Sequence, residues 1–169
     1  AGGLVSLLRA VPAMRASLGN LLSSLRGAKR AHERTDRDLP GIAVVGGVAV
    51  LGAGLWLLPW FHLQLLDALL AVAFTFLFVV VSAEIVGLIG TTSQPVSGMT
   101  ITALLVTAFA ILLSGRSGAE GSAAAIRVAA IVAVSIALAG DMSQDLKTGA
   151  LVGATPWKLQ IGEMIGAGV

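Results

Sequence analysis

Long stretches without charged side chains constrain this chain more than any other feature. The run from Gly41 to Trp60 has no charged residue, and it has the roughly 20 residues that a helix needs to cross a hydrocarbon core of about 30 Å. Because lipid offers no hydrogen-bonding partners, a chain that enters it must satisfy its backbone within helices. We therefore predict an all-α, polytopic helical membrane protein. The predicted spans cover about 41–60, 68–90, 99–113 and 122–139, and further helical segments follow over 141–169.

A polar segment interrupts the apolar pattern between the second and third predicted spans. It reads Gly87-Leu-Ile-Gly-Thr-Thr-Ser-Gln-Pro-Val-Ser-Gly-Met-Thr100. Backbone that leaves the helix at membrane depth is tolerated only where protein or a water-filled cavity satisfies its polar groups. The segment therefore predicts a discontinuous helix region on a substrate or ion pathway, and the alternative is a short loop between two helices. The predicted pathway residues are Glu84, Thr91, Thr92, Ser93, Gln94, Pro95, Ser97, Gly98 and Thr100.

The third predicted span, 99–113, is short for a membrane crossing. Its roughly 15 residues fall below the usual range for a spanning helix. Either part of the polar interruption is helical, or the segment is a half-helix packed inside the protein.

Glu84 is the acidic residue nearest to this interruption. A carboxylate in hydrocarbon costs a few kcal/mol, so it normally faces the interior of a helix bundle and serves a transport pathway. If the second span ends near Ala83, Glu84 lies at the membrane interface instead. Both positions remain open from the sequence.

Basic residues are concentrated near the start of the chain. Seven of the eleven Lys and Arg residues precede Leu39, although the net charge is only +2. Such a local basic segment on an apolar chain indicates membrane orientation and argues against a nucleic-acid partner. We predict a partial or interfacial helix over 1–25, a basic cytoplasmic loop over 26–40, with its positive charges in 26–37, and a membrane domain over 41–169 in the plasma (inner) membrane.

A second polar segment follows the fourth predicted span. Asp141 and Asp145 are four residues apart, so on a helix they share one face, with Gln144 and Lys147 nearby. Two like charges near an apolar wall repel each other, which provides a physical basis for proton or cation coupling. The alternative is a cytoplasmic helix start capped by Asp141, with Lys147 as an ordinary surface cation.

Several kinds of chemistry are excluded by the residues that the chain lacks or misplaces. The absence of Cys rules out disulfides, thiolate metal sites and Cys nucleophiles. The two histidines, His32 and His62, lie outside the predicted spans, and no phosphate-binding Gly-Lys-Ser/Thr loop occurs. We therefore predict no enzyme activity, no catalytic residue, no cofactor and no metal site. A transporter or channel-like segment is the first interpretation, and a structural or scaffolding multi-pass membrane subunit is the second.

Two stretches resemble signatures of the oligopeptide transporter family, also called the OPT or yellow-stripe-like family, and in particular its prokaryotic members. They are Glu84-Ile-Val-Gly-Leu-Ile-Gly-Thr-Thr-Ser-Gln-Pro-Val-Ser-Gly-Met-Thr100 and Ala139-Gly-Asp-Met-Ser-Gln-Asp-Leu-Lys-Thr-Gly-Ala-Leu-Val-Gly-Ala-Thr-Pro-Trp-Lys158. The resemblance covers the chain from about Gly41 to its end. It departs at Gln94, where the family pattern has Asn, so the amide here is one methylene further from the backbone.

This resemblance implies that the chain is an internal portion of a longer, proton-coupled secondary transporter. The parent would take up small peptides, peptide derivatives or metal chelates. The resemblance places 91–100 in the central pathway and 141–147 in a polar segment on the cytosolic side. The implied partners are the lipid bilayer, the remaining spans of the transporter and its substrate, and a homo-oligomer is left open.

Overall fold

The described part of the chain is entirely helical in its regular structure. A computed structural model describes residues 34–61 and 63–168, together with Pro12, Arg15, Ala16 and Gly19. No strand occurs among these residues, so the predicted all-α class is confirmed. The predicted helix over 1–25, His32 and His62 lie largely or wholly outside the described residues.

The described residues form five α-helices and two short 3₁₀ helices. The α-helices are α1 (Gly41–Leu57), α2 (Leu65–Ile89), α3 (Val96–Leu113), α4 (Gly118–Leu151) and α5 (Pro156–Ala167). The 3₁₀ helices cover Arg34–Asp36 and Pro59–Phe61.

Three of these helices are long and apolar enough to cross a membrane, which makes this a multi-pass membrane protein. They are α2, α3 and α4, whereas α1 is a shorter apolar helix of 17 residues. At 1.5 Å per residue, the 34 residues of α4 extend over about 51 Å. This length exceeds a hydrocarbon core of about 30 Å, so one end of α4 must project beyond it.

Helix α4 is the common packing partner of the bundle. Helices α2 and α3 each pack extensively on α4 and touch each other much less, and α5 folds back on the C-terminal part of α4. Helix α1 lies against α2, where Gly52 faces Val72 closely. The central apolar core consists of Leu63, Ala71, Phe78, Val81, Met99, Ala103, Val128, Val132 and Ile136.

A buried ion pair joins the start of α2 to the turn between α3 and α4. Arg116 donates two hydrogen bonds to the carboxylate of Asp67, of which the Nη1 to Oδ2 bond is 2.9 Å long. The backbone N–H of Gln64 also donates to Asp67 Oδ2, at 3.0 Å. The Asp67 side chain is fully buried, whereas that of Arg116 is 15% exposed. Such bidentate, charge-assisted pairing is strong and geometrically specific, and it fixes α2 and α3 as antiparallel neighbours.

The N-terminal segment meets the turn between α4 and α5 toward the other end of the bundle. Arg34 Nη2 donates to the carbonyl of Gly153 at 2.8 Å, and the N–H of Trp157 donates to the carbonyl of Arg37 at 3.0 Å. The N–H of Leu39 donates to Gln160 Oε1 at 3.1 Å. Gly153 has a φ of 72°, a left-handed conformation that suits glycine and ends α4.

The boundary expected between 122–139 and 141–169 is not found at Gly140. Helix α4 continues through Gly140 and the polar residues that follow it, and it ends only at Leu151. Asp, Ser, Gln and Lys change the composition of a helix without breaking it, so the predicted span 122–139 and the polar residues after it belong to one helix. The second span starts earlier than predicted, at Leu65, and the third starts at Val96 because part of the polar interruption is helical.

The ion pair gives a first prediction. Arg116→Ala removes the cation that is hydrogen-bonded to the buried Asp67 carboxylate and leaves Arg127 as the remaining positive charge that acts on it, so we expect the free energy of unfolding to fall by about 3 kcal/mol. Thermal unfolding of the detergent-solubilised full-length protein measures this, with Lys147→Ala, which removes an exposed cation, as the control. Arg116→Lys keeps the charge but loses the bidentate geometry and should be affected less. Equal stability of Arg116→Ala and the wild type would contradict the role given to the pair.

Candidate functional site

The non-helical part of the polar interruption runs from Gly90 to Pro95, and we call it the break. Helix α2 ends at Ile89, and its C-cap Gly90 has a φ of 77° and donates its N–H to the carbonyl of Val86 at 2.7 Å. The side chains of Thr91, Thr92 and Ser93 are exposed. Short polar side chains and a left-handed glycine explain why α2 stops here, since neither supports continuation of a helix.

Gln94 behaves differently from its neighbours because its side chain reaches α4. Its Nε2 donates to the carbonyl of Ile136 at 3.3 Å, and the hydroxyl of Ser82 on α2 donates to the same carbonyl at 3.3 Å. A β carbon on Gly140 would overlap the Gln94 amide. The amide therefore occupies the space above a glycine, and we call this contact the Gln94–Gly140 junction.

The junction brings together the two stretches that the sequence singled out. Gln94 belongs to the first stretch and Gly140 to the second, and Asp141 follows Gly140 directly. The Oε1 atom of Gln94 is buried and has no hydrogen-bond partner within the described residues. The structure therefore places the break directly against α4. The sequence alone did not predict that the two stretches are in contact.

The remaining residues of the predicted pathway lie at the break and in the first turns of α3. Pro95 is the N-cap of α3, and Ser97 and Gly98 are exposed. Thr100 is half-buried, and its hydroxyl donates to the carbonyl of Val96 at 2.8 Å within its own helix. These residues form a polar surface at one end of the α2–α3 pair, and their place on a pathway stays a prediction.

Glu84 lies on α2 within its last two turns, and it is exposed. Ser82, two residues earlier, is fully buried and faces α4. Two residues correspond to a rotation of about 200° around a helix. Glu84 therefore lies on the opposite face of α2, and the structure does not bring it to the acidic pair on α4.

The second polar segment lies on the C-terminal part of α4. Asp141, Asp145 and Lys147 are exposed, and Gln144 is half-buried. Within the described residues, no group of three His, Cys, Asp or Glu side chains is placed to hold a metal ion.

A third carboxylate, Glu163 on α5, faces this acidic pair and was missed by the sequence analysis. Burial raises the pKa of Glu163, and repulsion from Asp145 and Asp141 raises it further. Its Oε1 atom is buried, with no hydrogen-bond partner in the described part of the chain. Glu163 follows Leu159 by four residues and so shares its helix face, but only the structure shows that Leu159 packs on Gly149 of α4.

Comparison with known proteins matches the chain to a family model over residues 4–169, and that model is described as OPT oligopeptide transporter protein. A curated protein of Haemophilus influenzae, named "Putative oligopeptide transporter", is 34% identical over 117 residues. The match covers 60% of this chain and 18% of that protein, so the chain spans less than a fifth of the relative's length. No solved structure matches the chain.

The pKa of Glu163 leads to a pH-dependent prediction. Because the folded-state pKa lies above the ordinary value of 4.5, the protonated form favours packing of α5 on α4. That stabilisation is complete below pH 4.5 and is lost as the pH rises through the folded-state pKa. We expect Glu163→Gln to slow hydrogen exchange of the α5 amides at neutral pH and to match the wild type in acid. Glu120→Gln, an exposed carboxylate near the start of α4, is the control, and identical exchange of Glu163→Gln and wild type at neutral pH would contradict this.

Proposed function

The chain belongs to the OPT oligopeptide transporter family, and from this membership we propose that it forms part of a proton-coupled secondary transporter. The observation that carries the proposal is the family match over residues 4–169. The family is a transporter family, which agrees with the expectation that the chain is not an enzyme. The proposed substrates are small peptides, peptide derivatives or metal chelates. In a chelate, the metal ion would be transported as part of the substrate.

The exposed polar surface of the break supports a place on the substrate route. Thr91, Thr92 and Ser93 present hydroxyls between two membrane-length helices. In transporters, irregular backbone at membrane depth is tolerated where it lines a cavity, and its carbonyls and N–H groups coordinate the substrate. We propose that the backbone and hydroxyls from Ser93 to Gly98 line the route, together with Thr91, Thr92 and Thr100.

Two groups of carboxylates are proposed for proton coupling. One is Glu84 on α2, and the other is the pair Asp141 and Asp145 with its neighbours Gln144 and Lys147. Glu163 strengthens the second group, because its pKa is raised by burial and by repulsion from the pair. A carboxylate with such a raised pKa can exchange a proton nearer to physiological pH than an ordinary one.

The proposed orientation places the break and the acidic pair toward the cytoplasm, in the plasma membrane. Arg34 donates to Gly153 in the turn after α4, and the carbonyl of Arg37 accepts from Trp157 in the first turn of α5. Both contacts lie at the end of α4 that carries Asp141 and Asp145. The positive-inside rule assigns such a basic segment to the cytoplasmic side. The buried Asp67–Arg116 ion pair then lies toward the outer side.

Uptake measurements separate this proposal from a structural or scaffolding subunit. Cells that express the full-length parent should accumulate radiolabelled trialanine, and a protonophore that dissipates the proton gradient should abolish the accumulation. If the parent protein supports no uptake of di-, tri- or tetrapeptides in proteoliposomes with an imposed proton gradient, the scaffolding interpretation is favoured.

Glu84 gives a specific prediction for proton coupling. Glu84→Gln keeps the size of the side chain but cannot ionise, so uptake by the full-length transporter should depend less steeply on pH. Glu120→Gln, an exposed acid near the opposite end of α4, should retain the wild-type profile. An unchanged pH profile for Glu84→Gln removes Glu84 from the coupling role and leaves the group on α4 and α5.

Cysteine scanning of 91–98 tests the substrate route. The described chain contains no Cys, so single cysteines can be introduced after any in the rest of the parent are replaced. We expect a water-soluble thiol reagent to label Thr92→Cys and Ser93→Cys, and we expect trialanine to slow that labelling. Leu105→Cys, on an exposed apolar part of α3, should stay unlabelled because lipid surrounds it. Labelling from the cytoplasm alone, without protection by any transported peptide, would support a plain loop.

A further inference from the structure

We propose that Gln94 is a positioning residue that fastens the break to α4, so that the break follows any movement of α4 at Gly140. The contact that carries this inference is the Gln94–Gly140 junction. The proposed coupling of this contact to uptake rests on the proposed transport function. The positioning itself does not, since it concerns only how the break is held.

The first step of the argument is the shape of the junction. The Gln94 amide lies where a β carbon of residue 140 would be, so it fits only above a glycine. Glycine in the middle of a helix is unfavourable relative to alanine, yet α4 runs through Gly140 without interruption. Close approach by the Gln94 amide supplies a physical reason for glycine at this position.

The second step is the hydrogen bonding around the carbonyl of Ile136. This carbonyl accepts from Gln94 Nε2 and from the Ser82 hydroxyl, each at 3.3 Å. A single carbonyl of α4 therefore accepts hydrogen bonds both from α2 and from the break. Glutamine reaches this carbonyl from the break, and asparagine, shorter by one methylene, would not reach it from the same backbone position.

The third step is the position of the junction along the chain. The other polar side chains of the break, Thr91, Thr92 and Ser93, are exposed, whereas the Gln94 side chain is the part of the break that hydrogen-bonds to α4. Asp141 follows Gly140 directly. The pKa of Glu163 is raised by burial and by repulsion from Asp145 and Asp141. A displacement of this part of α4 is therefore transmitted to the break through one amide.

The test uses the full-length transporter with a single reporter cysteine in place of Val96, which lies two residues after Gln94 and is partly buried against the central core. Gly140→Ala displaces the Gln94 amide, which is the end of a flexible side chain and moves more readily than α4. Gly87→Ala is the matched control, because a β carbon on that helical glycine meets no atom within 4 Å. The measurements are the labelling rate of the reporter by a water-soluble thiol reagent, and kcat and KM for trialanine uptake.

We expect Gly140→Ala and Gln94→Ala each to raise the labelling rate about fivefold, the factor that corresponds to one typical buried hydrogen bond. We expect kcat to fall more than KM changes, while Gly87→Ala behaves as the wild type. In Gly140→Ala with Gln94→Ala, the new methyl group finds room, so thermal stability should recover although the labelling rate stays high. That separation of stability from labelling is not expected of a residue that only fills space.

The inference is overturned if Gln94→Ala and Gln94→Asn, which leave Gly140 intact, both label at the wild-type rate. These two variants also decide the matter if Gly140→Ala fails to fold. Absence of peptide uptake by the wild-type parent would defeat the proposed function, but the labelling rates would still test the positioning role. Raised labelling with unchanged kcat and KM would overturn the link to transport alone.

Discussion

Helix packing in lipid has no hydrophobic force between spans to rely on, and in this bundle α4 supplies the contacts that replace it. Association in hydrocarbon depends on close van der Waals packing and on interhelical polar contacts. Helix α4 buries small residues such as Ala124, Ala125 and Ala129 against its neighbours, and α2 and α3 meet mainly through it. The positions of both spans, and of the break that joins them, therefore depend on the surface of one helix.

Polar contacts of different kinds hold the two ends of this arrangement. Toward one end, the buried ion pair of Asp67 and Arg116 joins α2 to the turn before α4. Toward the other, the amide of Gln94 and the hydroxyl of Ser82 donate to a backbone carbonyl of α4. An ion pair with two hydrogen bonds is much stronger than a neutral side-chain hydrogen bond. The break itself is thus held to α4 by the weaker contacts, which suits a segment proposed to move.

Those parts of the fold that depend on local composition were predictable from the sequence, and those that depend on distant partners were not. Charge-free length predicted the helical class and the family motifs predicted the family, and both predictions are confirmed. The reason for glycine at position 140 was not predictable, because the amide that packs on it lies 46 positions earlier in the chain. The partner of Asp67 lies 49 residues away, and the role of Glu163 required knowing that α5 folds back on α4. Local sequence patterns do not show which residues so far apart in the chain are in contact.

The separation of Asp67 from Arg116 also has a consequence for the biogenesis of the membrane domain. Because Arg116 follows Asp67 by 49 positions, synthesis at 5–20 residues per second leaves Asp67 without this arginine for about 2 to 10 seconds. During that interval the N–H of Gln64 is a local partner that α2 itself provides. An unpaired carboxylate favours the water interface, so the start of α2 would remain shallow until α3 and the following turn have been made. The final depth of the second span is then set by a residue that is translated after the third.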